Sequence, residues 1–149
     1  MSMTINFPVN VAAMRAILPH RPPMVWIDEI LSGGHDGGVC RAIPRQENLY
    51  FSSGAFLKYT GIELVAQAFG FSRGIFELSK NPGASEPKRA FLVGIRTTFM
   101  ESIPADSGNL LIETKLFREL QPLLLVDGIV RSEATGEEFL KVQLKLFFE

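Results

Sequence analysis

The chain is poor in the residues that staple, anchor or charge a fold. One cysteine, Cys40, stands among 149 residues. No internal disulfide can form, and with no zinc-type ligand cluster a reducing, cytoplasmic setting is expected, with no metal. Histidine is almost as scarce. His20 and His35 are the only two, so an imidazole base must be one of them. No run of 18 apolar residues occurs, and no helical membrane span is expected. The opening MSMTINFPVN lacks the charged segment and long apolar run of a signal peptide. Excess charge is missing too: the net charge is −1, no block of like charge occurs, and nothing points to nucleic acid. No internal repeat or low-complexity tract is present.

What is there suits one domain over residues 1–149. The hydrophobic fraction is 46% and the charged fraction 21%, ordinary for a globular core. Phenylalanine is abundant, with 12 residues. Phe51, Phe56, Phe69, Phe71 and Phe76 are available either to a core or to an apolar ligand tunnel.

The longest helical pattern is FLKYTGIELVAQAFGFSRGIFEL, residues 56–78. Ser52, Ser53 and Gly54 precede it as a start signal. Ala66, Gly70 and Gly74 recur at four-residue steps and form a small-residue stripe, expected to let the helix lie close to a sheet. Glu63 and Gln67 share a side of this helix, one turn apart. Glu63 has two readings. It is a solvated helix glutamate, or a partly buried carboxyl held among Ile62, Leu64 and Val65 as a proton donor.

Around this helix the chain reads as strands. Residues 9–18 fit a short helix closed by Pro19, and Pro22 and Pro23 hold the following stretch extended. Residues 24–31 and 39–43 form a hairpin about the turn GGHDGG, residues 33–38. A polar linker over 79–88 leads to four strand-like segments, 89–100, 109–119, 123–132 and 138–148, expected as a meander. In the last, Lys141 and Lys145 alternate with Leu140, Val142, Leu144 and Leu146. Such a sheet has one apolar face and one long helix to cover it. The fold class is α+β, an antiparallel sheet wrapped around one central helix.

Two motifs resemble a known family. LPHRPPMVWIDEIL, residues 18–31, and GIELVAQAFG, residues 61–70, are similar to the N-terminal motif and the central helix of FabZ-like 3-hydroxyacyl-acyl-carrier-protein dehydratases. The nearer likeness is to the ApeP-type subgroup, which has the Gly-Ile-Glu helix start and the Leu-Pro-His motif. The resemblance covers most of the chain. It implies a hot-dog fold, a dimer or higher oligomer with sites at the subunit interface, and dehydration of a 3-hydroxyacyl thioester on acyl carrier protein. No diffusible cofactor is implied; the substrate rides on the phosphopantetheine of acyl carrier protein or on CoA.

By the same resemblance Glu63 meets the leaving hydroxyl and Gln67 supports the site. One departure stands out. The loop before the helix, FSSGAF, residues 51–56, has no histidine where FabZ-type enzymes carry their catalytic one. His35 lies in a glycine-rich turn and reads as a solvated turn residue. His20 is the better candidate base, with a structural histidine as the other reading.

Elimination needs a base for the α proton, an acid for the β hydroxyl, and donors for the thioester oxygen. His20 and Glu63 would supply the pair. Backbone N–H groups near Thr60 and Gly61 would supply the donors, with Tyr59 in reserve. Arg41, Arg45, Lys58, Lys88 and Arg89 are available as a basic patch for an acidic carrier. Two rival readings stay open: an acyl thioesterase in which Glu63 activates water, and a non-catalytic hot-dog subunit that binds acyl chains or completes a partner's site in a hetero-oligomer.

Overall fold

Alternating apolar side chains build the main sheet. The computed structural model describes residues 2–14, 22–47, 51–83 and 89–149. In it β1 (Val9–Asn10), β2 (Glu29–Gly34), β3 (Gly37–Ala42), β6 (Ala90–Met100), β8 (Leu110–Leu120), β9 (Leu123–Ser132) and β10 (Glu138–Phe148) form a seven-stranded antiparallel sheet. Two-residue strands β4 (Phe51–Ser52), β5 (Ala55–Phe56) and β7 (Ile103–Pro104) make a small second sheet. The helix α1 (Thr60–Lys80) lies on the inner face of the large one. Along β9 the residues Leu124, Val126 and Val130 are buried, as are Leu140, Val142, Leu144 and Leu146 on β10. Lys141 and Lys145 face outward, as the alternation requires.

The sheet order is β1-β2-β3-β8-β9-β10-β6. The last three strands form a meander as expected, but β6 does not join it in sequence. It pairs with β10 instead of β8 and stands at the sheet edge. Residue alternation reports which face a side chain takes, and says nothing of which neighbour a strand chooses.

The start of the helix also differs from expectation. Ser53 and Gly54 take φ of 54° and 82°, and the flanking residues pair Ser52 with Ala55. Two successive positive φ values are what a tight hairpin turn needs, so this triplet closes the β4–β5 hairpin. The helix cap is Tyr59, whose side chain makes no capping bond. Near the N-terminus the described part of the expected helix, residues 9–14, holds the strand β1 and a 3-10 turn, Val11–Ala13, with Asn10 accepting from the Ala12 N–H at 2.9 Å. Residues 15–18 lie outside the described residues. The chain turns at Pro22–Pro23 in place of running straight through them, and that peptide is cis.

Helix and sheet meet through small residues, on a different stripe from the one expected. A side chain added at Gly61 would meet Leu140 at 2.8 Å, and one at Gly33 would meet the Ser72 backbone at 2.6 Å. Gly128 sits against Val65. The Cys40 thiol reaches the Ala68 carbonyl at 3.7 Å and the Ser72 hydroxyl at 3.4 Å. The close-approach stripe is therefore Gly61, Val65, Ala68, Ser72 and Ile75. Ala66, Gly70 and Gly74 lie on a partly exposed face of the helix. The contacts also give the helix its direction: its first turn rests on β10, its middle on β9 and β3, and its last turns on β2. Phe56, Phe69 and Phe71 are buried in this core.

Candidate functional site

Three polar side chains run down α1 on the face turned away from the sheet stripe. Thr60, Glu63 and Gln67 are spaced i, i+3 and i+7, which stacks them on one side of a helix. Gln67 is 1% exposed, and its amide is fully engaged. Its Nε2 donates to the Met24 carbonyl at 2.7 Å and to Glu63 Oε1 at 2.9 Å. Its Oε1 accepts from the Trp26 N–H at 2.9 Å. The amide thereby replaces a strand neighbour for the segment entering β2 and holds one carboxylate oxygen of Glu63. Trp26 adds a bond from its indole Nε1 to the Pro23 carbonyl at 3.1 Å. Sequence spacing indicated the Glu63–Gln67 pair; it held no signal for the backbone partners, which are 43 and 41 residues away.

Thr60 begins the helix. Its N–H is already bonded to the Leu57 carbonyl at 2.9 Å, and the Ile62 N–H to the Tyr59 carbonyl at 3.1 Å. The Thr60 N–H is therefore not a free donor, against the expectation. The Gly61 N–H has no such bond among the described residues. The Thr60 hydroxyl is buried with no hydrogen-bond partner, a condition that costs on the order of 1–3 kcal/mol. Tyr59 is 65% exposed, with the Lys58 ammonium 5.9 Å from its ring centre.

The two histidines part company. His20 lies outside the described residues. His35 occupies the β2–β3 turn, where its Nε2 is 3.3 Å from Glu119 and its Nδ1 3.9 Å from Glu77. Arg73 bonds the same Glu119 at 3.0 Å and, with desolvation opposing, holds that carboxyl below its usual range. From Glu63 to Glu77 the helix rises about 21 Å, so the structure does not bring His35 to Glu63. Its cluster ties a turn to the far end of the helix.

Other reactive groups are accounted for. Burial pushes the Cys40 thiol up to about 12, with a small opposing effect from the Ser72 hydrogen bond. A thiol that stays protonated is a poor nucleophile. Arg41 is held by Glu133 at 2.7 Å and Glu29 at 2.9 Å, and Arg45 by Asp28 at 2.9 Å. These two are ion-pair partners within the fold, which removes them from the expected carrier patch; Lys88 lies outside the described residues. No group of three or more metal-ligating side chains occurs among the described residues, and no described helix is long and apolar enough to cross a membrane.

A trough of about 780 Å³ opens on the outer face of the sheet, with Arg96, Glu113, Lys115, Asp127, Lys141 and Gln143 among its lining residues. It shares no residue with the Thr60–Glu63–Gln67 column. Two of its acids are occupied, Glu113 by Arg131 at 2.6 Å and Asp127 by Gln143 at 3.0 Å. Its walls carry carboxylates and lysines, with Lys115 paired across the strands to Asp127, whereas the helix face carries a carboxyl held by Gln67 and a buried hydroxyl with no partner.

Substitution of Gln67 checks this geometry. Gln67→Leu strips the partners from the Trp26 N–H and the Met24 carbonyl, and the expected loss is on the order of 2–4 kcal/mol of unfolding free energy. Urea titration followed by Trp26 fluorescence measures it; a change below about 0.5 kcal/mol, typical of an uninvolved surface site, would contradict the bonding described.

Comparison with known proteins agrees with the fold and names the family. A family model described as ApeP-like, ApeP dehydratase, matches residues 12–119. A search of curated proteins finds no match. Among solved structures, a chain of the dehydratase heterocomplex ApeI:P from Xenorhabdus doucetiae is similar, with a TM-score of 0.77 and 17% identity, covering 95% of this chain and 91% of that one. Zebra fish thioesterase superfamily member 2 follows with a TM-score of 0.65 and 15% identity, covering 93% and 92%. A hypothetical thioesterase from Streptococcus pneumoniae TIGR4, solved with coenzyme A, has a TM-score of 0.59 and 14% identity, covering 81% and 84%. At these identities the structures establish the hot-dog fold, and the family model carries the rest: this chain belongs to the ApeP-like dehydratase family.

Proposed function

We propose that the chain removes water from a 3-hydroxyacyl thioester carried on the pantetheine arm of acyl carrier protein, with Glu63 and His20 as the acid and base. The observation that carries this is the Gln67 amide, which bonds Glu63 and the backbone of Met24 and Trp26 at once. His20 precedes Met24 by four residues. That length of chain spans at most about 14 Å, and the reading requires His20 to meet Glu63 within that reach.

The chemistry balances without a cofactor. His20 takes the α proton, and the C–H electron pair moves into the enolate, whose oxygen gains charge. The pair then forms the α,β double bond as the β hydroxyl leaves. Glu63 delivers the proton with which that hydroxyl departs as water. The Gly61 N–H, in the first turn where peptide dipoles favour negative charge, supports the thioester oxygen. Thioester hydrolysis would use the same Glu63 on a water and release free thiol.

A second hot-dog chain completes the assembly in this reading. β6 is an edge strand in which Phe91, Leu92, Val93 and Ile95 are 41–54% exposed. A long apolar edge is a template for strand addition. The first turn of α1 rests on β10, one strand spacing, about 5 Å, from that edge. Arg96 pairs with Gln143 on β10, with Lys141 and Lys145 diagonally beside it. Residues 89–100 contain no acid, so self-pairing of β6 would gather like charges. A partner of different sequence suits the edge better, and the similar Xenorhabdus doucetiae structure is of a heterocomplex.

Two measurements check this. Incubation with a 3-hydroxyacyl-carrier thioester, followed by mass spectrometry, is expected to show loss of one water; Glu63→Gln should slow it by at least about 10²-fold. Release of the acyl group would move the reading to a thioesterase. Ile95→Asp places a charge on the exposed inner side of β6 and should dissociate the complex in analytical ultracentrifugation. An unchanged sedimentation coefficient would place the seam elsewhere.

A further inference from the structure

Thr60 is 4% exposed, and its Oγ1 touches no hydrogen-bonding group. A helical threonine usually returns its hydroxyl to a carbonyl one turn back. Here the first-turn carbonyl of Leu57 already receives the Thr60 N–H. The hydroxyl is left over at the end of the helix where negative charge is favoured. It heads the column whose other members, Glu63 and Gln67, are bonded to each other. Valine has nearly the same shape and would remove the unmet polar group, whereas a ligand that accepts from the hydroxyl would satisfy it.

We infer that the Thr60 hydroxyl donates a hydrogen bond to the thioester carbonyl oxygen of the acyl substrate. It keeps its proton throughout; its part is to lower the charge on that oxygen as the enolate forms. The Gly61 N–H, one residue on, supplies a second donor in the same turn. The inference rests on the dehydratase reading for its substrate class, and the test separates the two.

Thr60→Val and Thr60→Ser are prepared in the assembled complex. Thr60→Val should raise the melting temperature of the unliganded protein by about 2–4 °C, because an unmet polar group is gone. It should also lower kcat/KM for dehydration by about 10²-fold. Thr60→Ser should recover most of that loss. In calorimetry, wild type should bind a 3-hydroxyacyl pantetheine thioester about tenfold more tightly than the thioether lacking the carbonyl oxygen, and Thr60→Val should bind the two alike. Undiminished turnover in Thr60→Val overturns the inference. So does a fall in turnover with a fall in melting temperature, the mark of a packing role. A wild type that prefers the thioester yet releases no water sinks the dehydratase reading and leaves Thr60 in place. A wild type that binds both probes alike, or neither, sinks Thr60.

Discussion

One side-chain amide carries the geometry of the site. Gln67 is buried among apolar residues, where an unmet amide is costly, and three bonds satisfy it. Their polarity leaves no freedom. The Nε2 must face a carbonyl and a carboxylate, and the Oε1 must face an N–H. A reversed amide would set donor against donor at Trp26 and acceptor against acceptor at Met24. The helix, the segment entering β2 and Glu63 are thereby held in one relation. A side chain placed by a buried amide keeps its position better than one placed by a loop.

That amide could not act unless the helix lay close and still on the sheet. Small residues on both partners permit this: Gly61, Ala68 and Ser72 on the helix, Gly33 and Gly128 on the strands. The helix crosses the sheet so that its polar first turns end near β10 and the free edge β6, while its last turns end at the His35 cluster. The proposed chemistry and the proposed assembly seam thus share one end of the molecule. The ion pairs of Arg73, Glu119 and His35 occupy the other.

Much of this was legible in the sequence, and the failures have physical causes. The helix and the long strands are read from periodicity because burial imposes it; β9 and β10 begin and end where alternation put them. The Glu63–Gln67 pair is legible because four residues make one helical turn. Partner choice is a different matter. β6 looks like any strand, and only the assembled sheet shows it on β10. Ser52, Ser53 and Gly54 suit a cap and a hairpin equally, and strand pairing decides. Ala66, Gly70 and Gly74 make the more obvious small-residue stripe, yet the sheet took the one holding Gly61, Ala68 and Ser72, because its apolar members Val65 and Ile75 continue the core. The orphan hydroxyl of Thr60 could not be read at all, since an unmet bond is visible only when every neighbour is in place.

The central claim is that substrate meets the helix face at Thr60, Glu63 and Gln67. A crystal structure of the assembled complex with a 3-hydroxyacyl pantetheine amide would test it most directly. The account predicts the acyl carbonyl at the first turn of α1 and the 3-hydroxyl beside Glu63. Density for the ligand in the outer trough, between Arg96, Glu113 and Lys141, would contradict it.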